Sequence, residues 1–188
     1  MPRCPLEGVL AGLLVVSSSA GAGQPRSFES QPEVYTEFGE VSGCGLGFDA
    51  AWRDDRTHTL GISGSVIALL IIQKDTVAVL VRATGLYDTA KTPLIYAWIQ
   101  TSPYGKTTDF TVGPAEDPAG YMAFKASDPN AIMIPSMMAV KGFRLGVKFR
   151  GHPLENQVDL PPSRSAVTAV LQSCFNDLEK SIQTILHQ

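Results

Sequence analysis

The sequence predicts a mainly β protein, either an antiparallel β-sandwich or a barrel, with a C-terminal α-helix packed on the sheet. Segments in which apolar and polar residues alternate recur at short spacing, as in half-buried strands. Turn-forming pairs such as Gly113-Pro114 and Asp117-Pro118 separate these segments. Near the end of the chain the spacing of apolar residues changes to that of a helix.

The first 22 residues are typical of a secretory signal peptide. Arg3 supplies a positive charge, residues 8–16 form a short apolar run, and Ala20-Gly21-Ala22 resembles a cleavage site. This run is shorter than the roughly 20 residues that a membrane-spanning helix needs. We therefore predict a signal peptide over 1–22, a periplasmic or secreted location, and no transmembrane segment after cleavage.

After the signal peptide, residues 23–41 are predicted to be a flexible lead-in because they are polar and contain Pro25 and Pro32. Residues 42–188 are predicted to be a single β-rich domain. The net charge of −3 comes from 15 basic and 18 acidic residues that are scattered along the chain. No basic stripe offers a nucleic-acid surface, so nucleic acid is not expected as a partner.

Two cysteines remain once the signal peptide, with Cys4, is removed. Cys44 and Cys174 are an even number of cysteines in an exported chain, which predicts a disulfide between them. The alternative is a pair of buried free thiols. Neither cysteine has enough ligand residues near it in the sequence to predict a metal site.

The most apolar stretch, residues 65–83, is predicted to be a β-hairpin. Its two halves, 66–72 and 76–81, are rich in the β-branched residues that favour strands. A membrane helix would have Lys74 and Asp75 at its centre, at a cost of several kcal/mol. The first half is apolar on both faces, so each face needs a covering layer.

Other segments complete the predicted fold. We expect 94–101 to pair next to the hairpin, and 143–150 to form a strand with an apolar and a basic face. A short helix is predicted over 136–142 with Ser136 as its N-cap, and a long helix over 164–186 with Cys174 facing inward. The remaining candidate strands are 107–112, 120–126 and 131–135.

The segment from 136 onward carries a pattern of residue types: "SMMAVKG", "FRLGVKF", "VDLPPS" and then "SAVTAVLQSC". Over about 50 residues it resembles small exported proteobacterial proteins of the invasion-associated locus B type. It is also similar to periplasmic accessory proteins of type VI secretion. The resemblance implies a bacterial, β-rich periplasmic or secreted domain with an interaction role, and it implies no catalytic residue.

Four basic residues are the candidate contact surface for a partner. Arg144, Lys148 and Arg150 project from one predicted strand, and Lys141 precedes it. Exposed basic residues on a strand also protect sheet edges against aggregation, which is the alternative.

We therefore expect an exported, non-enzymatic binding protein with a protein partner in the cell envelope. The contact would be the basic strand or the loops 102–106 and 113–119. One alternative is a carrier of a small apolar ligand inside the β framework, and a less favoured one is a hydrolase using Asp54, Asp55 or His58. Catalytic, cofactor-binding and metal-binding residues are not predicted, because the glycine and serine motifs lack the required spacing.

Overall fold

The structure is a computed structural model that describes residues 23–54, 58–71, 76–101, 105–126 and 131–186. The predicted signal peptide lies outside these ranges. Within them, eleven strands and two α-helices form the fold. The strands are β1 Pro25–Glu37, β2 Glu40–Arg53, β3 Thr59–Ile71, β4 Thr76–Tyr87, β5 Ala90–Thr92, β6 Leu94–Thr101, β7 Gly105–Lys106, β8 Thr111–Gly113, β9 Gly120–Ala126, β10 Phe143–Phe149 and β11 Glu155–Leu160; the helices are α1 Ile134–Lys141 and α2 Ser165–Leu186.

The described strands form two antiparallel sheets. The large sheet has the order β1-β2-β3-β4-β9-β8, with β5 beside β4, and the small sheet has the order β11-β10-β6-β7. Apolar side chains from both sheets and both helices share one core, as in a sandwich. The predicted mainly β class with a C-terminal helix on the sheet is confirmed, as an open sandwich rather than a barrel.

The lead-in predicted over 23–41 is wrong where β1 forms. Strand β1 pairs with β2 from Pro25, opposite Trp52, to Glu37, opposite Glu40. Most of its polar residues are exposed, and its prolines are tolerated because β1 is the edge strand of its sheet. Polar composition therefore concealed a strand that lies against the core on one side only.

The hairpin predicted over residues 65–83 is confirmed as the antiparallel pair β3 and β4. Residues 72–75 lie outside the described residues. One face of β3 meets the core, where Val66 is fully buried. On the other face Ile67 is also fully buried, and its side chain lies close to Gly45 of β2. Leu69 lies close to Gly43 in the same way, so two glycines of "GCGLG" face side chains of β3, whereas Gly47 faces Glu33 of β1.

Four local predictions were wrong. Segment 94–101 is a strand, but it pairs with β10 in the small sheet and not next to the hairpin. Residues 107–109 and 131–133 form 3₁₀ turns rather than strands. Ser136 lies inside α1, which begins two residues earlier behind Met133 with a proline in its first turn.

The end of the chain follows the prediction closely. Helix α2 packs on β1 and β2 with Leu171, Cys174 and Leu178 buried. The disulfide between Cys44 and Cys174 is confirmed; its S–S distance is 2.06 Å, and it joins β2 to α2 across a sequence separation of 130. Among the described residues, neither helix combines the length and apolarity needed to cross a membrane.

Candidate functional site

Strand β10, which carries two of the four predicted basic contact residues, Arg144 and Lys148, lies inside the small sheet between β11 and β6. Because β10 is not an edge strand, protection of a sheet edge against aggregation does not explain its basic residues. The Nε and Nη2 atoms of Arg144 donate to the two carboxylate oxygens of Asp159 on β11, at 2.7 and 2.9 Å. These hydrogen bonds raise the pKa of Arg144. The ammonium of Lys148 donates to the main-chain carbonyl of Pro153.

The other two predicted contact residues lie at opposite ends of this strand. Lys141 ends α1 and precedes β10, whereas Arg150 follows it, and both are exposed. The seven residues of β10 separate them by about 20 Å. The four basic side chains thus form a broken row with Asp159 and Glu155 opposite two of them, rather than one patch. Their partner-binding role stays a prediction.

Of the predicted polar cluster at 52–58, Asp54 follows β2 and His58 precedes β3, and residues 55–57 lie outside the described residues. The N–H of His58 donates to Asp54 Oδ1 at 3.0 Å, and its Nδ1 lies 2.7 Å from Asp88 Oδ2. A hydrogen bond from the Thr59 N–H and the contact with His58 lower the pKa of Asp88. Asp55 lies outside the described residues. Among the described residues, no group of three or more histidine, cysteine or acidic side chains could hold a metal ion.

A groove along one edge of β6 is a concave site that the sequence analysis did not predict. Strand β7 pairs only with Gln100 and Thr101, so no described strand covers residues 95–98 on the side opposite β10. The groove has a volume of about 450 Å³. Its lining comprises Ile95, Tyr96, Ala97, Trp98, Lys106, Thr108, Val112, Tyr121 and Glu155. We call it the β6 groove.

The main-chain N–H and C=O groups of Ala97 face this groove. The N–H of Ile99 donates to Thr107 Oγ1 at 2.9 Å, on the side away from β10. Because amide directions alternate along a strand, the N–H and C=O of Ala97 face the same side. At the other end, the N–H of Leu94 donates to the carbonyl of Ala119 at 3.1 Å. These two hydrogen bonds mark the ends of the stretch 95–98, which no described strand covers on this side.

The indole of Trp98 forms one wall of the β6 groove. It lies flat on Gly146 of β10, on the face away from the core, and is only 2% exposed. Any Cβ at position 146 would overlap the indole ring. The Nζ atom of Lys106 lies 4.0 Å from the ring centroid, in a cation–π contact.

Glu155 fixes the polar end of this wall. Its Oε2 accepts hydrogen bonds from Tyr96 Oη at 2.7 Å and Trp98 Nε1 at 3.1 Å, and Gln157 donates to its Oε1 at 2.7 Å. Burial alone would raise the pKa of Glu155, but these three donors outweigh it, and the pKa is lowered.

Burial and the bond to Glu155 raise the pKa of Tyr96 to about 12. The carboxylate is therefore charged and the phenol neutral at neutral pH. A carboxylate held by three donors suits a positioning role better than proton transfer. The geometry therefore supports binding along the β6 groove.

The sequence contained signals for this site that were not combined. Tyr96 and Trp98 share one face of the alternating segment "LIYAWIQT", and the single glycine of "FRLGVKF" leaves space for an aromatic ring. Residues 155–160 were not recognised as a strand, so Glu155 had no predicted neighbours.

No family model, curated protein or solved structure matches this chain. The resemblance of the segment from 136 onward to exported proteobacterial families stays a prediction.

Proposed function

We propose that this chain is an exported, non-enzymatic binding protein that takes an extended segment of a protein partner along the free edge of β6. The observation that carries the proposal is the edge of β6 at 95–98, which no described strand pairs on the side away from β10 and which lies in a groove of about 450 Å³. The disulfide between Cys44 and Cys174 supports an oxidising location, the periplasm or the exterior.

Strand addition fits the groove because its hydrogen-bonding groups belong to the main chain. An extended peptide that pairs with a sheet edge obtains affinity from main-chain bonds and specificity from alternate side-chain pockets. Exposed edges are normally protected by charge or proline, and "IYAW" at 95–98 has neither. The four residues span about 13 Å, so a stretch of three to four residues fits.

The lining defines the chemistry of the occupant. Ile95 and Val112 are 50% and 61% exposed at the rim, and Tyr121 lines the wall. These residues favour apolar side chains at alternate positions. Lys106 is exposed beside Trp98 and favours a carboxylate at that end of the occupant.

A carrier of a small apolar ligand has less support. Such a carrier would need a cavity beside β3, the half of the hairpin that is apolar on both faces. Ile67 is buried against Gly45, and Leu69 lies over Gly43. The concavities of about 450, 470 and 210 Å³ are lined by other residues.

Selection from a displayed library of random peptides tests the proposal on the full chain. We expect extended, apolar sequences with an acidic residue at one end. Ala97→Pro removes the N–H that faces the groove, in a position where a strand tolerates proline, and should abolish binding of the selected peptides. Ala97→Gly keeps the N–H and should therefore still bind the selected peptides. Equal binding to both variants would contradict strand addition.

A further inference from the structure

The tip of the β1–β2 hairpin carries an exposed aromatic residue in a backbone conformation that does not suit it. Phe38 and Gly39 have φ angles of 52° and 86°, as a type I′ turn requires at both central positions. Glycine and asparagine are the usual residues there, and a bulky side chain at positive φ is an outlier. The side chain of Phe38 is 93% exposed, so burial does not compensate for the backbone strain.

The hairpin projects beyond the large sheet. Strand β2 pairs with β3 only as far as Gly43, opposite Leu69. Among the described strands, residues 36–42 therefore pair only with each other, across the turn at Phe38. This two-stranded ribbon presents the phenyl ring at its outermost point.

The charged residues of the hairpin nearest the turn in sequence are all negative. Residues 33–42 contain Glu33, Glu37 and Glu40 and no lysine or arginine. An anionic membrane surface attracts basic segments and repels this one. A site that accepts the ring needs an apolar pocket, and the flanking glutamates match basic groups at its rim.

We propose that Phe38 is an anchor residue that inserts into an apolar pocket with a basic rim on a protein partner. Aromatic side chains seated in pockets carry much of the binding energy of protein interfaces. Strained backbone that persists without a local structural benefit is characteristic of functional sites. The anchor belongs to the large sheet and the β6 groove to the edge of the small sheet, so this proposal does not depend on the proposed function.

Thermal unfolding of the full chain tests the strain. Asparagine suits the turn, so Phe38→Asn should raise the Tm by about 2–4 °C. Leu154→Asn, at another exposed apolar residue that is 57% exposed and not at positive φ, should give no increase. A Tm for Phe38→Asn at or below that of the wild type would overturn the strain argument.

Photo-crosslinking in the cells that express the protein naturally tests the contact. The probe is p-benzoylphenylalanine at position 38, with position 154 as the matched control. We expect one discrete heavier product from position 38 alone, which disappears when Glu37→Lys and Glu40→Lys reverse the flanking charges.

Three outcomes would overturn the anchor. They are identical products from positions 38 and 154, a product of twice the mass of this chain, and binding to phosphatidylglycerol vesicles that Phe38→Asn abolishes. The second would identify another copy as the occupant, and the third a lipid surface.

Discussion

Replacement of Gly146 by alanine tests how the wall of the β6 groove is built. A Cβ at this position would overlap three atoms of the Trp98 indole, and the main chain of β10 is held between two strands. The ring must therefore move, and its bond to Glu155 must break. Gly146→Ala should destabilise the protein and disrupt the groove together.

The size of the effect follows from what the indole loses. A buried tryptophan removes roughly 150–250 Å² from water, and exposing half of that costs about 2–3 kcal/mol at about 25 cal/mol per Å². The hydrogen bond from Trp98 Nε1 to a charged carboxylate contributes about 1.5–3 kcal/mol more. Because the ring can find new contacts, we expect a net loss of about 3 kcal/mol.

Urea unfolding at neutral pH measures this loss. Gly61→Ala is the matched control, since a Cβ there would lie 3.5 Å from Leu86, an ordinary contact distance. That control should change stability by less than about 1 kcal/mol. The double variant Gly146→Ala with Trp98→Ala should lose much less than the sum of the single changes. A decrease of less than about 1 kcal/mol in the free energy of unfolding for Gly146→Ala alone would refute the packing of the Trp98 indole on Gly146.

Two further predictions concern the disulfide and the titrating pair. The mass of the intact protein measured without reductant should be two hydrogens below the value for free thiols. The double variant Cys44→Ala with Cys174→Ala should lower the free energy of unfolding in urea by up to about 5 kcal/mol. A mass that shows two free thiols would contradict the disulfide. The folded pKa of Glu155 lies below 4.5, so its ionisation stabilises the fold above that pH and this contribution is lost on further acidification. The stability difference between wild type and Glu155→Gln should therefore shrink as the pH falls below about 4.5. In alkaline absorbance titrations, Tyr96→Phe should remove a transition near pH 12 rather than one near 10.

The elements with strong local patterns were predictable from the sequence. The β-branched hairpin, the alternating strand β10 and the long amphipathic helix α2 all formed as predicted. Their patterns come from burial on one face or on both, which composition records directly. Strand β1 was missed because an edge strand with one solvent face needs few apolar residues.

The candidate site depends on pairing between distant segments, which local patterns do not record. Trp98 lies near Glu155 only because β6 and β11 both pair with β10, on its two sides. Placing 94–101 next to the hairpin put Trp98 in the wrong sheet and therefore hid the β6 groove. The basic residues of β10 were found, but not the carboxylates of β11 opposite Arg144 and Lys148.

Amide hydrogen exchange at Ala97, measured by NMR with Trp98 as its neighbour, tests the free edge of β6 most directly. In the free protein, the N–H of Ala97 should exchange at a rate set by local access to solvent. The N–H of Trp98, which faces β10, should exchange only through much rarer opening of the sheet. Binding of a peptide selected on the full chain should slow hydrogen exchange of the Ala97 amide and leave the exchange rate of the Trp98 amide unchanged. Equal protection of both amides in the free protein would show that the edge is already occupied and would contradict strand addition.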